Sequence, residues 1–174
     1  FIWESERNGF KNYYLYDLTG KLLNPITTNA FEAVSIVRID EKSKTLWYTA
    51  RDGDNYMKVQ LHRVGLNGKG DTRLTDPAFT HAVSLSPDAK FFTDVAQTHN
   101  QAPVTHLRDA KGKTVAELAK SDLTKFDSLG LKKIEMFNEG GEIGIFDRVG
   151  LRGVFFGQTL IGQPPSESRP PTKP

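Results

Sequence analysis

A chain of 174 residues with 37% hydrophobic and 25% charged residues can bury one core and sits slightly on the polar side of ordinary globular protein. Its 23 Lys and Arg against 21 Asp and Glu leave a net charge of +2, with neither sign gathered into runs. That balance removes the electrostatic case for nucleic acid or an anionic membrane surface as partner. The lack of cysteine excludes disulfides, thiolate metal sites and a cysteine nucleophile.

The chain opens in a short apolar strand, Phe1–Trp3, followed by a polar loop, SERNGFKN, over Ser5–Asn12. Aromatic-rich YYLYD (Tyr13–Asp17) favours strand over helix, and Leu22–Thr27 completes a group of three strands whose inner strand is expected upstream of residue 1. The next group is a full set. Ala33–Ile39 (AVSIVRI) reads as an inner strand buried on both faces, Asp40–Lys44 as a charged turn, and TLWYTA (Thr45–Ala50) as the second strand. Arg51–Asn55 turns the chain into a third strand, Tyr56–Val64, and Asp71–Thr75 is the outer one. A third group repeats the order with His81–Ser86, Phe91–Val95, Pro103–Asp109 and Thr114–Leu118. Its first turn, Pro87-Asp88-Ala89-Lys90, has Pro where a type I turn favours it.

After Leu118 the pattern changes. Ser121 reads as an N-cap, Leu123, Phe126 and Leu129 follow helical spacing, and Gly130 is a stop, which predicts a short helix over Asp122–Leu129. Lys132–Asn138 and Gly141–Thr159 then predict two or three more strands. The end, GQPPSESRPPTKP, holds five of the nine prolines and reads as an extended linker or tail. No stretch approaches the ~20 apolar residues of a membrane helix. No signal-peptide pattern stands at the start, although Phe1 already lies inside a strand and sequence upstream is expected.

One grammar recurs three times. LYDLTGKLLNPIT (Leu15–Thr27), LHRVGLNGKGDTRLT (Leu61–Thr75) and HLRDAKGKTVAEL (His106–Leu118) each run a strand into a Gly-Lys turn and a second short strand. The turn glycines lie 48 residues apart from Gly20 to Gly68 and 44 from Gly68 to Gly112. A period of about 40–50 residues made of several short strands is that of a propeller blade. The expected fold is therefore all-β, a partial β-propeller of about two and a half four-stranded antiparallel blades with a short helix and a C-terminal β extension. The expected divisions are blades over 1–119 (a partial blade 1–28, then 32–75 and 79–118), a helix and bridging strands over 120–160, and a Pro-rich tail over 161–174.

The polar residues offer little chemistry. His62, His81, His99 and His106 lack metal spacing and read as surface or strand-end residues. RDGDN (Arg51–Asn55) resembles the start of a calcium loop, but Met57 and Arg63 stand where Gly and Glu are needed, so it reads as a turn. In SERNG, Arg7 or Glu4 could face a propeller tunnel or a domain interface; a solvated loop with a local ion pair is the favoured reading. Trp3, Tyr13, Tyr14, Tyr16, Trp47, Tyr48, Phe91 and Phe92 read as inter-blade core. No catalytic, cofactor-binding or metal-binding residue is assigned.

The phrase FIWESERNGFKNYYLYDLTGK resembles the dipeptidyl-peptidase IV branch of the prolyl oligopeptidase family, where an apolar-Trp-x-Ser-Glu-Arg segment leads to an aromatic-Leu-Tyr strand. LHRVGLNGKGDTRLT, SPDAKFFTD and PVTHLRDAKGK are similar to the last blades of that propeller. DLTKFDSLGLKKIEMF resembles the bridge toward an α/β-hydrolase domain, and LRGVFFGQTLIGQPPSESRPPTKP is a looser version of what precedes the hydrolase core. GGEIGIFDRVG departs from the family pattern.

The resemblance implies a parent enzyme with a Ser–Asp–His triad that removes dipeptides from peptide N-termini after Pro or a small residue, its propeller gating substrate by size. None of the serines here lies in the Gly-x-Ser-x-Gly elbow the nucleophile needs; Ser128, Ser166 and Ser168 are flanked otherwise. Glu4 and Glu6 belong to a different motif from the amine-binding glutamates. The implied partners are the remaining blades, the hydrolase domain and, indirectly, peptide substrates, in a periplasmic, secreted or membrane-anchored extracellular parent. Self-association through the open blade edge at Phe1–Trp3 and Tyr13–Asp17 is also expected. A stand-alone propeller-like protein-binding module is the alternative; a WD-repeat scaffold lacks its Gly-His and Trp-Asp signatures.

Overall fold

A computed structural model describes residues 1–53, 55–131 and 133, together with the strands 135–139, 142–146 and 155–156. Two compact units divide it at Leu131/Lys132. The first holds three antiparallel sheets, each a meander. Sheet 1 is β1 (Ile2–Ser5), β2 (Asn12–Tyr16) and β3 (Leu22–Pro25). Sheet 2 is β4 (Ala33–Asp40), β5 (Thr45–Ala50), β6 (Gln60–Gly65) and β7 (Thr72–Arg73). Sheet 3 is β8 (Thr80–Leu85), β9 (Phe91–Gln97), β10 (Val104–Asp109) and β11 (Thr114–Lys120), followed by the helix α1 (Thr124–Ser128). In the second unit β12 (Glu135–Glu139), β13 (Glu142–Phe146) and β14 (Phe155–Phe156) form an antiparallel sheet in that order. The fold is nearly all-β, a partial propeller, as the repeat predicts.

The repeat is visible bond by bond. In the turn opened by Asp17, Gly65 or Asp109, the first residue's N–H donates to the carbonyl of Lys21, Lys69 or Lys113, and the glycine N–H donates back to its carbonyl. The glycines carry φ of +84°, +76° and +86°, which only glycine adopts without steric cost. Asp17 and Asp109 each accept two turn N–H groups on Oδ1; where the middle copy has Gly65, Asn67 accepts one from Lys69 instead. Correspondence at 48 residues extends further. Tyr13 N–H donates to Thr27 Oγ1 as Leu61 N–H does to Thr75 Oγ1, and Ala33 N–H reaches Lys11 O as His81 N–H reaches Val59 O.

Side chains alternate across a strand, so a middle strand can feed two interfaces. On β5, Leu46, Tyr48 and Ala50 join Tyr13, Ile26, Ala33 and Val64 in a core shared by sheets 1 and 2. Trp47, between them, points the other way and joins Leu61, Leu74 and Phe92 in a core shared by sheets 2 and 3. Tyr13 and Tyr48 meet edge to face at 5.8 Å.

Several expectations are corrected. β4 is not buried on both faces: only Ala33 is fully covered, and Ile36 and Ile39 are exposed. The strand pairs only with β5 and forms the sheet's edge, so the apolar middle of the blade belongs to β5 and β6. The third strand begins at Gln60 rather than Tyr56, because the Asn55 carbonyl and side chain accept the N–H groups of Lys58 and Met57 and hold a turn there. Trp3 and Phe91 are exposed rather than inter-blade core. Ser121 does not cap the helix; it donates to the Pro103 carbonyl and ties the end of sheet 3 to the start of β10. Asp122 instead accepts the N–H and Oγ1 of Thr124, and Gly130, at φ +64°, follows the helix end. The Pro-rich tail lies outside the described residues.

Candidate functional site

Polar side chains inside the sheets gather at two places. In sheet 3, β8 supplies His81, β9 Asp94 and β10 Arg108. His81 Nδ1 lies 2.6 Å from Asp94 Oδ1, and Arg108 Nε donates to Asp94 Oδ2 at 2.6 Å. Asp94 is wholly buried on the strand face that meets sheet 2, in register with Val83 and His106. Burial alone would raise its pKa, but the bonds from His81 and Arg108 outweigh that and hold the carboxyl below the ordinary carboxylate range. Arg108 Nη1 also donates to Gly112 O and Thr114 Oγ1, so the guanidinium braces the last turn of the blade.

The His81–Asp94 pair has the spacing of the base and orienting acid of a hydrolytic triad. A triad, however, needs a nucleophile on the far imidazole nitrogen. Here His81 Nε2 faces the Asp76 carbonyl at 2.8 Å, in the segment that joins sheets 2 and 3. With both ring nitrogens taken, the pair fastens that connection and has no atom left to activate.

The second cluster sits beside the core of sheets 1 and 2. Tyr48 Oη donates to Asp71 Oδ2 at 2.5 Å and accepts from Asn29 Nδ2 at 2.9 Å. Burial, and then the Asp71 carboxylate, push the phenol far above its ordinary pKa, so it remains a neutral donor. His62 stands between two carboxylates, with Nδ1 3.1 Å from Asp71 Oδ1 and Nε2 3.3 Å from Asp52 Oδ2; Arg73 donates to Asp52 at 2.8 Å. The Nε2 contact is too poorly aligned for a hydrogen bond. Asp52 belongs to the segment that resembles a calcium loop; its carboxylate is occupied by Arg73, which supports the turn reading. Among the described residues no group of three His, Cys, Asp or Glu could hold a metal ion.

Arg7, singled out in the sequence, lies over the Tyr14 ring at 3.9 Å and donates to Tyr16 Oη at 2.8 Å. Glu4 is not its partner; Lys11 is 3.9 Å from Glu4 and donates to the Val34 carbonyl of sheet 2. Arg7 is thus a surface cation on an aromatic platform, worth about 0.5–1 kcal/mol at an exposed site. His62 and His81 are the residues the sequence reading misplaced, since both are buried. The available signal was phase: His62 shares its strand face with Val64, and Asp94 shares its own with Phe92 and Ala96.

Comparison with known proteins places these sheets in a known family. Residues 1–103 match the family described as the dipeptidyl peptidase IV (DPP IV) N-terminal region. A crystal structure of Porphyromonas gingivalis dipeptidyl peptidase 4 superposes with a TM-score of 0.65 at 18% identity, over 83% of this chain and 21% of that one. The likeness at that identity is one of fold, and the chain spans about a fifth of that protein's length.

Proposed function

Because this chain belongs to the dipeptidyl peptidase IV N-terminal-region family, we propose that it serves as the non-catalytic propeller portion of a serine exopeptidase that releases N-terminal dipeptides after Pro or a small residue. The observation that supports this is a triply repeated blade sheet, its first two copies and the start of the third inside the family match, in a sequence that contains no nucleophile elbow. His81, Asp94, Arg108 and Tyr48 spend their polar atoms on partners within the sheets and on the segments that join them, as a scaffold would. Its role is to gate substrates by size and to support an α/β-hydrolase domain. Residues 1–119 would form the blades, 120–160 the bridge and 161–174 the linker. The remaining blades and the hydrolase domain are its partners, in a periplasmic, secreted or membrane-anchored extracellular parent. Among the described residues no helix is long and apolar enough to cross a membrane.

The test has two arms. The chain alone should neither turn over Gly-Pro or Ala-Pro chromogenic substrates nor be labelled by a fluorophosphonate, whereas the full-length parent should do both. Turnover by the chain alone, or no dipeptide release by the parent, would overturn the reading.

A further inference from the structure

Sheets 2 and 3 fill the same three positions in opposite ways. Ala33 N–H donates to Lys11 O as His81 N–H does to Val59 O, and these two residues pair with Ala50 and Ala96. Tyr48 and Asp94 precede those alanines by two residues and stand opposite His62 and His106. Leu46 then pairs with Val64 as Phe92 pairs with Arg108. Sheet 2 therefore has Ala33, Tyr48 and Val64 where sheet 3 has His81, Asp94 and Arg108. The first trio belongs to a hydrophobic core. The second is an ion cluster in which the His81 and Asp94 side chains are 1% and 0% exposed. A blade can close these positions without ions, and ions here carry a desolvation cost that apolar residues of similar volume avoid.

Hydrogen-bond roles fix the charge on His81. Its Nε2 lies 2.8 Å from the Asp76 carbonyl, which can only accept, so Nε2 carries a proton. Its Nδ1 lies 2.6 Å from Asp94 Oδ1, and the other oxygen of Asp94 accepts from Arg108 Nε at 2.6 Å. Burial opposes charge on Asp94, but these two bonds outweigh it and keep the carboxylate ionised. An ionised carboxylate also only accepts, so Nδ1 carries a proton as well. A neutral ring has a single N–H and would turn a lone pair toward one of the two acceptors.

We infer that His81 is a doubly protonated cation and that its charge works as a pH-sensitive latch between sheets 2 and 3. With both protons in place, one N–H holds Asp94 on β9 and the other holds Asp76 in the connection from sheet 2. Losing either proton releases one of the two, so the latch opens as pH rises. Among the described residues, the charged or titratable groups around it are Asp94, Arg108 and His106 within sheet 3, and Asp76 and Lys58 at the connection. Lys58 donates to the Ala78 carbonyl and the Asp76 carboxylate accepts the Ala78 N–H, so both are engaged with backbone. His106 Nδ1 is buried without a hydrogen-bond partner. The latch needs only sheets 2 and 3, so it stands or falls independently of the peptidase function.

Nitrogen NMR of the isotope-labelled chain at pH 7 reads the ring protons directly, and His81→Gln identifies the His81 signals by their loss. Both His81 nitrogens should carry a proton; a bare ring nitrogen would overturn the inference. The second measurement uses a variant that combines His81→Ala, Asp94→Phe and Arg108→Val and restores an apolar filling like that of sheet 2. It is melted in urea beside the wild type from pH 7 upward, so that groups common to both proteins cancel. The wild-type midpoint should fall relative to that of the variant over the same pH range in which the His81 ring loses a proton. If the triple variant does not fold, His81→Gln serves as the reference in the same comparison. A midpoint difference that stays constant while the ring titrates would overturn the latch.

Discussion

Three glycines in one turn type give an internally controlled test of how the sheets are tied together. Gly20, Gly68 and Gly112 share φ values near +80°, so alanine at any of them incurs the same left-handed backbone cost, about 1–2 kcal/mol. Their surroundings differ. A Cβ on Gly68 would lie 2.6 Å from the Pro25 carbonyl oxygen, and one on Gly112 would lie 2.3 Å from that of Leu74. Both are backbone atoms of the preceding sheet, which cannot swing aside, so the sheets must part. Overpacking of this kind costs about 1–3 kcal/mol more. Gly20→Ala should therefore lose about 1–2 kcal/mol and the other two about 2–5 kcal/mol. Urea melts at concentrations low enough to keep chains apart measure this directly, with an unchanged slope as the check that only stability has moved. Three equal losses would refute the reasoning, because the shared turn conformation would then be the whole effect and the sheets would not be joined through these turns.

Trp47→Ala should cost about 3–5 kcal/mol in the same melts, since the ring fills the core between sheets 2 and 3; a loss under about 1 kcal/mol would mean that the ring contributes little to that core. Asp94→Asn should destabilise by about 3–5 kcal/mol at neutral pH by stranding His81 and Arg108. Its pH dependence has a definite sign. A carboxyl whose folded pKa is depressed adds stability that is present above its unfolded value, about 4, and is lost as pH falls through the folded value. The gap between wild type and Asp94→Asn should therefore narrow as melts are taken from pH 7 to pH 3. The exposed aspartates with similarly lowered pKa, such as Asp17 and Asp109, are common to both proteins and cancel. A gap independent of pH would mean that Asp94 is not held ionised by its partners.

Strand, turn and repeat were legible in the chain because their causes are local. Alternation in TLWYTA needs only the two-residue period of a strand, and the Gly-Lys turns need only a left-handed glycine with a polar side chain nearby to hold the loop. Repetition of those local signals was enough to define four-stranded sheets and a propeller period. Which residues are covered was a different matter, because coverage depends on the sheet that lies opposite. Trp3 and Trp47 look alike in sequence, yet one faces solvent and the other a neighbouring sheet. AVSIVRI reads as the most apolar strand but lies at an edge, and the buried histidines of LHRVG and HAVSLS find their partners in Asp71 and Asp94, elsewhere in the chain. Period and turn chemistry were therefore settled within a few residues of chain, whereas burial, ion pairing and the pairing of faces were decided by tertiary contacts that bring together groups 9 to 48 residues apart.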